Sequence, residues 1–227
     1  MTSDKIGSGF LEGSDDRIIY GSITFELFSQ SFLLYEKYVM ADSRIQCRCV
    51  TFVIATLLAC RSLAKKEYEE LIMKTSKFAA KMIKISEQCE MVTRCAHLFY
   101  VIGDDDEQVV YANPQRCLEC LQRALKLADS CNNADPSNLK LFVDLLDVYL
   151  YFFEEKNPSV TGNYITGLVA LIKEQAKSSC NQYGQISPAI SGAQSHFLQI
   201  VRHIKEMKEK ETSSEYFNNI DVSAVVT

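Results

Sequence analysis

Tryptophan is absent from this chain of 227 residues, which holds only four prolines and three histidines. Basic charge is also short: 24 Lys and Arg stand against 29 Asp and Glu, a net charge of −5. A nucleic-acid binder normally shows a basic face or a high pI, so the charge argues against one. The longest apolar run, Cys49 to Cys60, is closed by Arg48 and Arg61. It falls well short of the roughly 20 residues that a spanning helix needs. No charged-then-apolar leader opens the chain. The sequence is expected neither to cross nor to enter a membrane.

Catalytic motifs are missing too. There is no His-Glu-x-x-His, no glycine-rich phosphate loop and no Gly-x-Ser-x-Gly. His97, His196 and His203 have no partner motif and read as surface or interface side chains. The acidic run Asp104–Glu107 lacks the glycine and the spacing of a calcium loop and reads as a solvated loop. Cysteine is the exception to scarcity, with nine, an odd count. Cys117 and Cys120 have ligand-like spacing, but only Cys131 lies near them, and a structural zinc site wants a second pair or histidines. The cysteines read as buried thiols of a reducing compartment. The expectation is no enzyme, no cofactor and no metal.

Helix signals fill what remains. Each proline follows a residue able to cap a helix: Asn113-Pro114, Asp135-Pro136, Asn157-Pro158 and Ser187-Pro188. Asn, Asp and Ser accept from the free amides of a first turn, and proline there loses no intrahelical bond. The prolines lie 22, 22 and 30 residues apart, which predicts similar helices with tight links, hence antiparallel neighbours. The reading is helices over 15–36, 43–62, 67–85, 87–102, 114–131, 136–156, 158–177 and 188–210. A loop is expected over 103–113, flexible segments over 1–14 and 211–227, and one all-α unit over 15–210. The period-two alternation of strands extends over no useful length, so no sheet is expected.

The helices differ in how much of their surface is apolar. Glu70, Lys74, Lys77, Lys81 and Lys84 repeat at 4-3-4-3 spacing, a solvated face whose other use would be a basic ridge for an acidic protein surface or anionic lipid headgroups. The segments 43–62 and 136–156 are apolar nearly all round, although a surface helix needs a stripe of only about 100°. Both should therefore be covered on several sides. In the second segment Lys140, Asp144, Asp147, Tyr151 and Glu154 share one narrow polar face. Tyr151 sits in its middle, where an aromatic is poorly used by water but well used by a protein partner.

Several stretches resemble a known family. Cys95-Ala96-His97-Leu98-Phe99, the run Glu119 to Cys131, Tyr149 to Asn157, and His196-Phe197 followed by His203 resemble the large α-solenoid subunit of retromer, the vacuolar protein sorting subunit thirty-five family. The resemblance runs from about Asp15 to Glu209 and covers the C-terminal third of that family's chain. It implies a HEAT-like α-solenoid of stacked antiparallel helix pairs. It implies a scaffold that binds a metallophosphoesterase-fold subunit on its inner face, with retromer recycling membrane cargo from the cytoplasmic face of endosomes to the Golgi and the cell surface. It also implies a homodimer contact, to which Glu36, Lys81 and Lys84 fit, while Lys37 and Tyr38 stand where further acids are expected. Helical phase, with the helices over 87–102, 136–156 and 188–210 in one layer, assigns an inner face to Arg94, His97, Asp144, Asp147, Tyr151, Glu154, His196, Gln199, Arg202 and His203. The alternative is a different helical-repeat adaptor that binds peptides or cargo tails.

Overall fold

Short polar caps and apolar spacing set where the helices begin. The computed structural model describes residues 15–103, 109–183, 188–210 and 214–223, with side chains over 19–103, 109–177, 190–210 and 216–223. Helix α1 (Asp15–Leu34) runs into a π-helical turn, Tyr35–Val39. The Asp42 carboxylate accepts from the Arg44 amide at 2.9 Å and opens α2 (Ser43–Ala59). Helices α3 (Lys65–Ala79) and α4 (Ile85–Phe99) follow across short links. Asn113 caps α5 (Pro114–Ala134) by accepting from the Arg116 amide, and Asp135 caps a 3-10 turn, Pro136–Asn138, that leads into α6 (Leu139–Glu154). Helices α7 (Gly162–Tyr183), α8 (Pro188–Glu209) and the short α9 (Ser214–Phe217) complete the order. The class is all-α, and helices joined by short links pack on each other as HEAT-like pairs do.

Three expectations are corrected. The helix ending at Ile102 stops at Phe99, and Tyr100–Ile102 (β1) pairs antiparallel with Val109–Ala112 (β2). The expected absence of a sheet therefore gives way to one small hairpin. Its strands are β-branched and aromatic but too short to show alternation. Asn157-Pro158 builds a turn rather than a first helical turn: the Asn157 side chain accepts from the Ser159 amide, its carbonyl accepts from the Val160 amide, and α7 begins only at Gly162. The segment 211–227, expected to be flexible, carries α9 and buries Phe217, Ile220 and Val222. Its remaining residues, 211–213 and 224–227, lie outside the described ones, as do 1–14, the acidic run 104–108 and Ser187.

The chain divides into two compact units, Met1–Arg123 and Ala124–Thr227. In the first, α2 packs on α3 and α4, and α1 on α3. Phe32 and Tyr35 meet the Phe78 ring at centroid distances of 5.2 and 4.4 Å. Gly21 lets α1 approach the link after α2, because a Cβ there would sit 2.6 Å from the Ser62 carbonyl oxygen. The helix over 43–62 was expected to be covered on several sides, and α2 is not. Phe52 is 74% exposed, and with Leu27, Leu34, Tyr38 and Ile45 it walls an open apolar groove of about 930 Å³ between α1 and α2.

In the second unit α6 packs on both α7 and α8. Ten of its residues are buried, from Leu139 to Phe153, which is the several-sided cover that its sequence demands. The α6 end is closed by paired bonds from the Lys156 amide to the Phe153 carbonyl and from Asn157 to Phe152, with Lys156 at φ 56°. That is the Schellman arrangement, with lysine where glycine is usual.

Candidate functional site

The expected face falls in both units, and each part is described within its own. In the second unit the contact of α6 with α8 brings the polar residues of the two helices together. The His203 Nε2 lies 2.6 Å from the Glu154 carboxylate, and the His196 Nε2 lies 3.9 Å from that of Asp147. Asp147 and Glu154 are two turns apart, as are His196 and His203, so the pairs form two rungs across the same two helices. Tyr151 lies between the acids and is 37% exposed, whereas its neighbour Phe152 is fully buried and holds the helix in phase. Gln199 and Arg202 are exposed on α8. Asp144 stands apart from the rungs and pairs with Lys140 one turn back on α6.

In the first unit Arg94 is exposed, and its guanidinium donates to the Thr51 hydroxyl of α2 at 3.0 Å. His97, read from the sequence as a surface or interface side chain, is less open than Arg94. It is half-buried in α4, and burial pushes its imidazole down to about 4. Its neighbours Leu98 and Phe99 are buried, and the chain turns there into β1.

Glu36 and Lys81 line one depression of about 610 Å³ together with Lys74 and Lys77. Both Glu36 and Lys84 are already engaged within the unit, Glu36 with Lys74 at 3.5 Å and Lys84 with Glu87 at 2.9 Å. Such exposed pairs are cheap to break, because solvent screens both charges. They leave the charges open to exchange for a partner's.

Cys117 is buried on α5, and burial pushes the Cys120 thiol up to about 11. Burial also holds the Cys95 thiol far above its ordinary range. Burial thus disfavours the thiolate at Cys95 and Cys120, the form that acts as a nucleophile. Among the described residues no group of three or more His, Cys, Asp or Glu gathers as a metal site. No helix among them is long and apolar enough to cross a membrane.

Sequence reasoning missed the Thr51 anchor of Arg94 and the docking of the C-terminal segment on α6. The one signal for the latter was the apolar set Phe217, Ile220 and Val222 in a polar stretch.

Comparison with known proteins adds an independent line. The sequence model of the family described as vacuolar protein sorting-associated protein 35 matches residues 12–175. The vacuolar protein sorting-associated protein 35 of Schizosaccharomyces pombe is 31% identical over 163 residues, 72% of this chain and 19% of that protein. Vacuolar protein sorting-associated protein 35B of Arabidopsis thaliana is 31% identical over 194 residues, 83% of this chain and 23% of its own length. A Dictyostelium discoideum relative is 28% identical over 148 residues. The chain thus spans about a fifth of the curated relatives it matches, less than the third that the sequence resemblance implied.

Proposed function

The chain belongs to the vacuolar protein sorting-associated protein 35 family, and from that premise we propose that it is a non-catalytic scaffold of the retromer coat. Its partner in this reading is the metallophosphoesterase-fold subunit, bound in the cytoplasm at endosomal membranes during retrieval of membrane cargo. The observation that carries the proposal is the α6–α8 face, where Tyr151 stands exposed between two histidine–carboxylate pairs on a helix with ten buried residues. A rigid aromatic rimmed by polar groups is the composition of a protein interface centre. Gln199 and Arg202, exposed on α8, add donors to the assigned face. Arg94 and His97 belong to the same assignment through helical phase alone. In the same reading Glu36, Lys81 and Lys84 serve a homodimer contact, with intramolecular pairs exchanged for intermolecular ones.

Capture of the purified metallophosphoesterase-fold subunit by the immobilised chain tests the reading. Retention at micromolar concentration supports it. A chain that melts cooperatively and retains none of the subunit is instead a helical-repeat adaptor for other ligands.

A further inference from the structure

The C-terminal segment is held in a built socket rather than laid on a surface. The Tyr216 ring stacks on Phe153 at 4.2 Å between centroids, and Phe217 meets the same ring edge-on at 5.3 Å. Phe217, Ile220 and Val222 are buried. Gly162, at the first position of α7, is in close approach to the segment: a Cβ there would lie 3.0 Å from the Asn219 carbonyl oxygen. The Thr166 hydroxyl accepts from the Asp221 amide at 2.9 Å, and Lys208 of α8 donates to the Ile220 carbonyl. Thus α6 supplies an aromatic floor, α7 a close approach at Gly162 together with a backbone anchor at Thr166, and α8 a cation. These are the parts of a peptide-recognition site: pockets for side chains, hydrogen bonds to main chain, and one charge to fix direction.

We propose that Phe153, Gly162, Thr166 and Lys208 form a peptide socket that the chain's own segment, Tyr216 to Val222, fills in cis. The ligand it takes has an aromatic pair, an isoleucine three residues after the second aromatic, then Asp-Val. The Asp221 side chain contributes twice, accepting from the Ser223 amide at 2.8 Å and lying in the field of Lys208. Tyr216 remains 39% exposed, so the segment can be peeled from its outer edge. This inference does not rest on the scaffold reading, because the socket lies within the fold of the second unit and needs no retromer partner.

The test uses the full chain and a labelled synthetic peptide of residues 214–223. In the variant Phe217→Asp/Ile220→Asp, the vacated socket is expected to bind the peptide one to one. The native chain should bind at least tenfold more weakly, because its own segment competes at an effective concentration of about millimolar. Adding Gly162→Val to the variant should abolish binding. A variant that melts cooperatively yet binds no peptide overturns the proposal, as does equal binding by variant and native chain. Should the variant not fold, hydrogen exchange on the native chain decides. Millimolar peptide should speed exchange at the Ile220 and Asp221 amides, and the peptide carrying the two aspartates should not. Exchange that is unprotected from the start, or unmoved by the peptide, refutes the socket.

Discussion

Tyr151 and Phe152 are adjacent in sequence and opposite in environment, 37% against 0% exposed. Truncating a buried phenylalanine removes about 3–5 kcal/mol, whereas an exposed change usually stays within about 0.5 kcal/mol. Phe152→Ala should therefore lower the melting temperature sharply, and Tyr151→Ala should leave it nearly fixed. In the proposed complex Tyr151→Ala should weaken binding by about 2 kcal/mol, roughly thirtyfold, read by calorimetric titration. Unchanged binding would make Tyr151 ordinary packing. His97 supplies a second contrast. Burial lowers its folded-state value to about 4, below the ordinary histidine value of about 6.5, so between these the unfolded chain binds the extra proton. The stability it contributes is whole above about pH 6.5 and is lost progressively as pH falls toward 4. His97→Gln should flatten that limb in urea melts taken from pH 7 to 4, and identical limbs would mean that His97 is solvated. Helical phase had placed His97 with Arg94 on an inner face. What periodicity does not contain is the turn of the chain into β1 immediately after α4.

Among the elements, the end of α6 has a lysine doing a glycine's work. A non-glycine residue in the left-handed region costs about 1–2 kcal/mol, and Lys156 occupies it at φ 56°. Lys156→Gly should shift the urea midpoint upward by the equivalent of about 0.5–1 kcal/mol, once the greater freedom of glycine in the unfolded chain is counted. A lower midpoint would show that the lysine stem contributes packing that outweighs the strain. The same stretch shows how far element boundaries could be read. Asn113, Asp135 and Asn157 all accept from an amide ahead of them, as their types predict. At Asn157 the bond closes a turn instead of starting a helix, because asparagine caps both. The two rungs on α6 and α8 were half legible: seven-residue spacing put each pair of like residues on one face. Which histidine meets which acid depends on the relative register of two helices, and no local pattern encodes that.

For the molecule at large, the groove between α1 and α2 decides solution behaviour. Phe52, Leu27 and Tyr38 are 74%, 64% and 62% exposed along it. Apolar patches above a few hundred Å² are rare on monomeric proteins. Phe52→Glu should reduce the fluorescence of an apolar-surface dye with little change in melting temperature. A large loss of stability would show that Phe52 is covered in solution. The all-α class was legible because caps and a 3.6-residue period recur along the whole chain. The hairpin was not, since three or four residues carry too little alternation to separate a strand from a loop. An apolar circumference identified α6 and α2 equally as needing cover, and only packing shows that one receives it and the other does not.

The stitch between Thr166 and Asp221 spans 55 residues of chain. At synthesis rates of about 5–20 residues per second, some 3–11 s separate the emergence of the two. Over that interval α6 can pair with α7, since their link is short, but Phe153 has nothing to stack on. A long contact also forms late in refolding, because loop closure must precede its reward. Until then Phe153 lacks the cover of Tyr216 and Phe217, and on the nascent chain it is a short-lived target for whatever binds exposed aromatics.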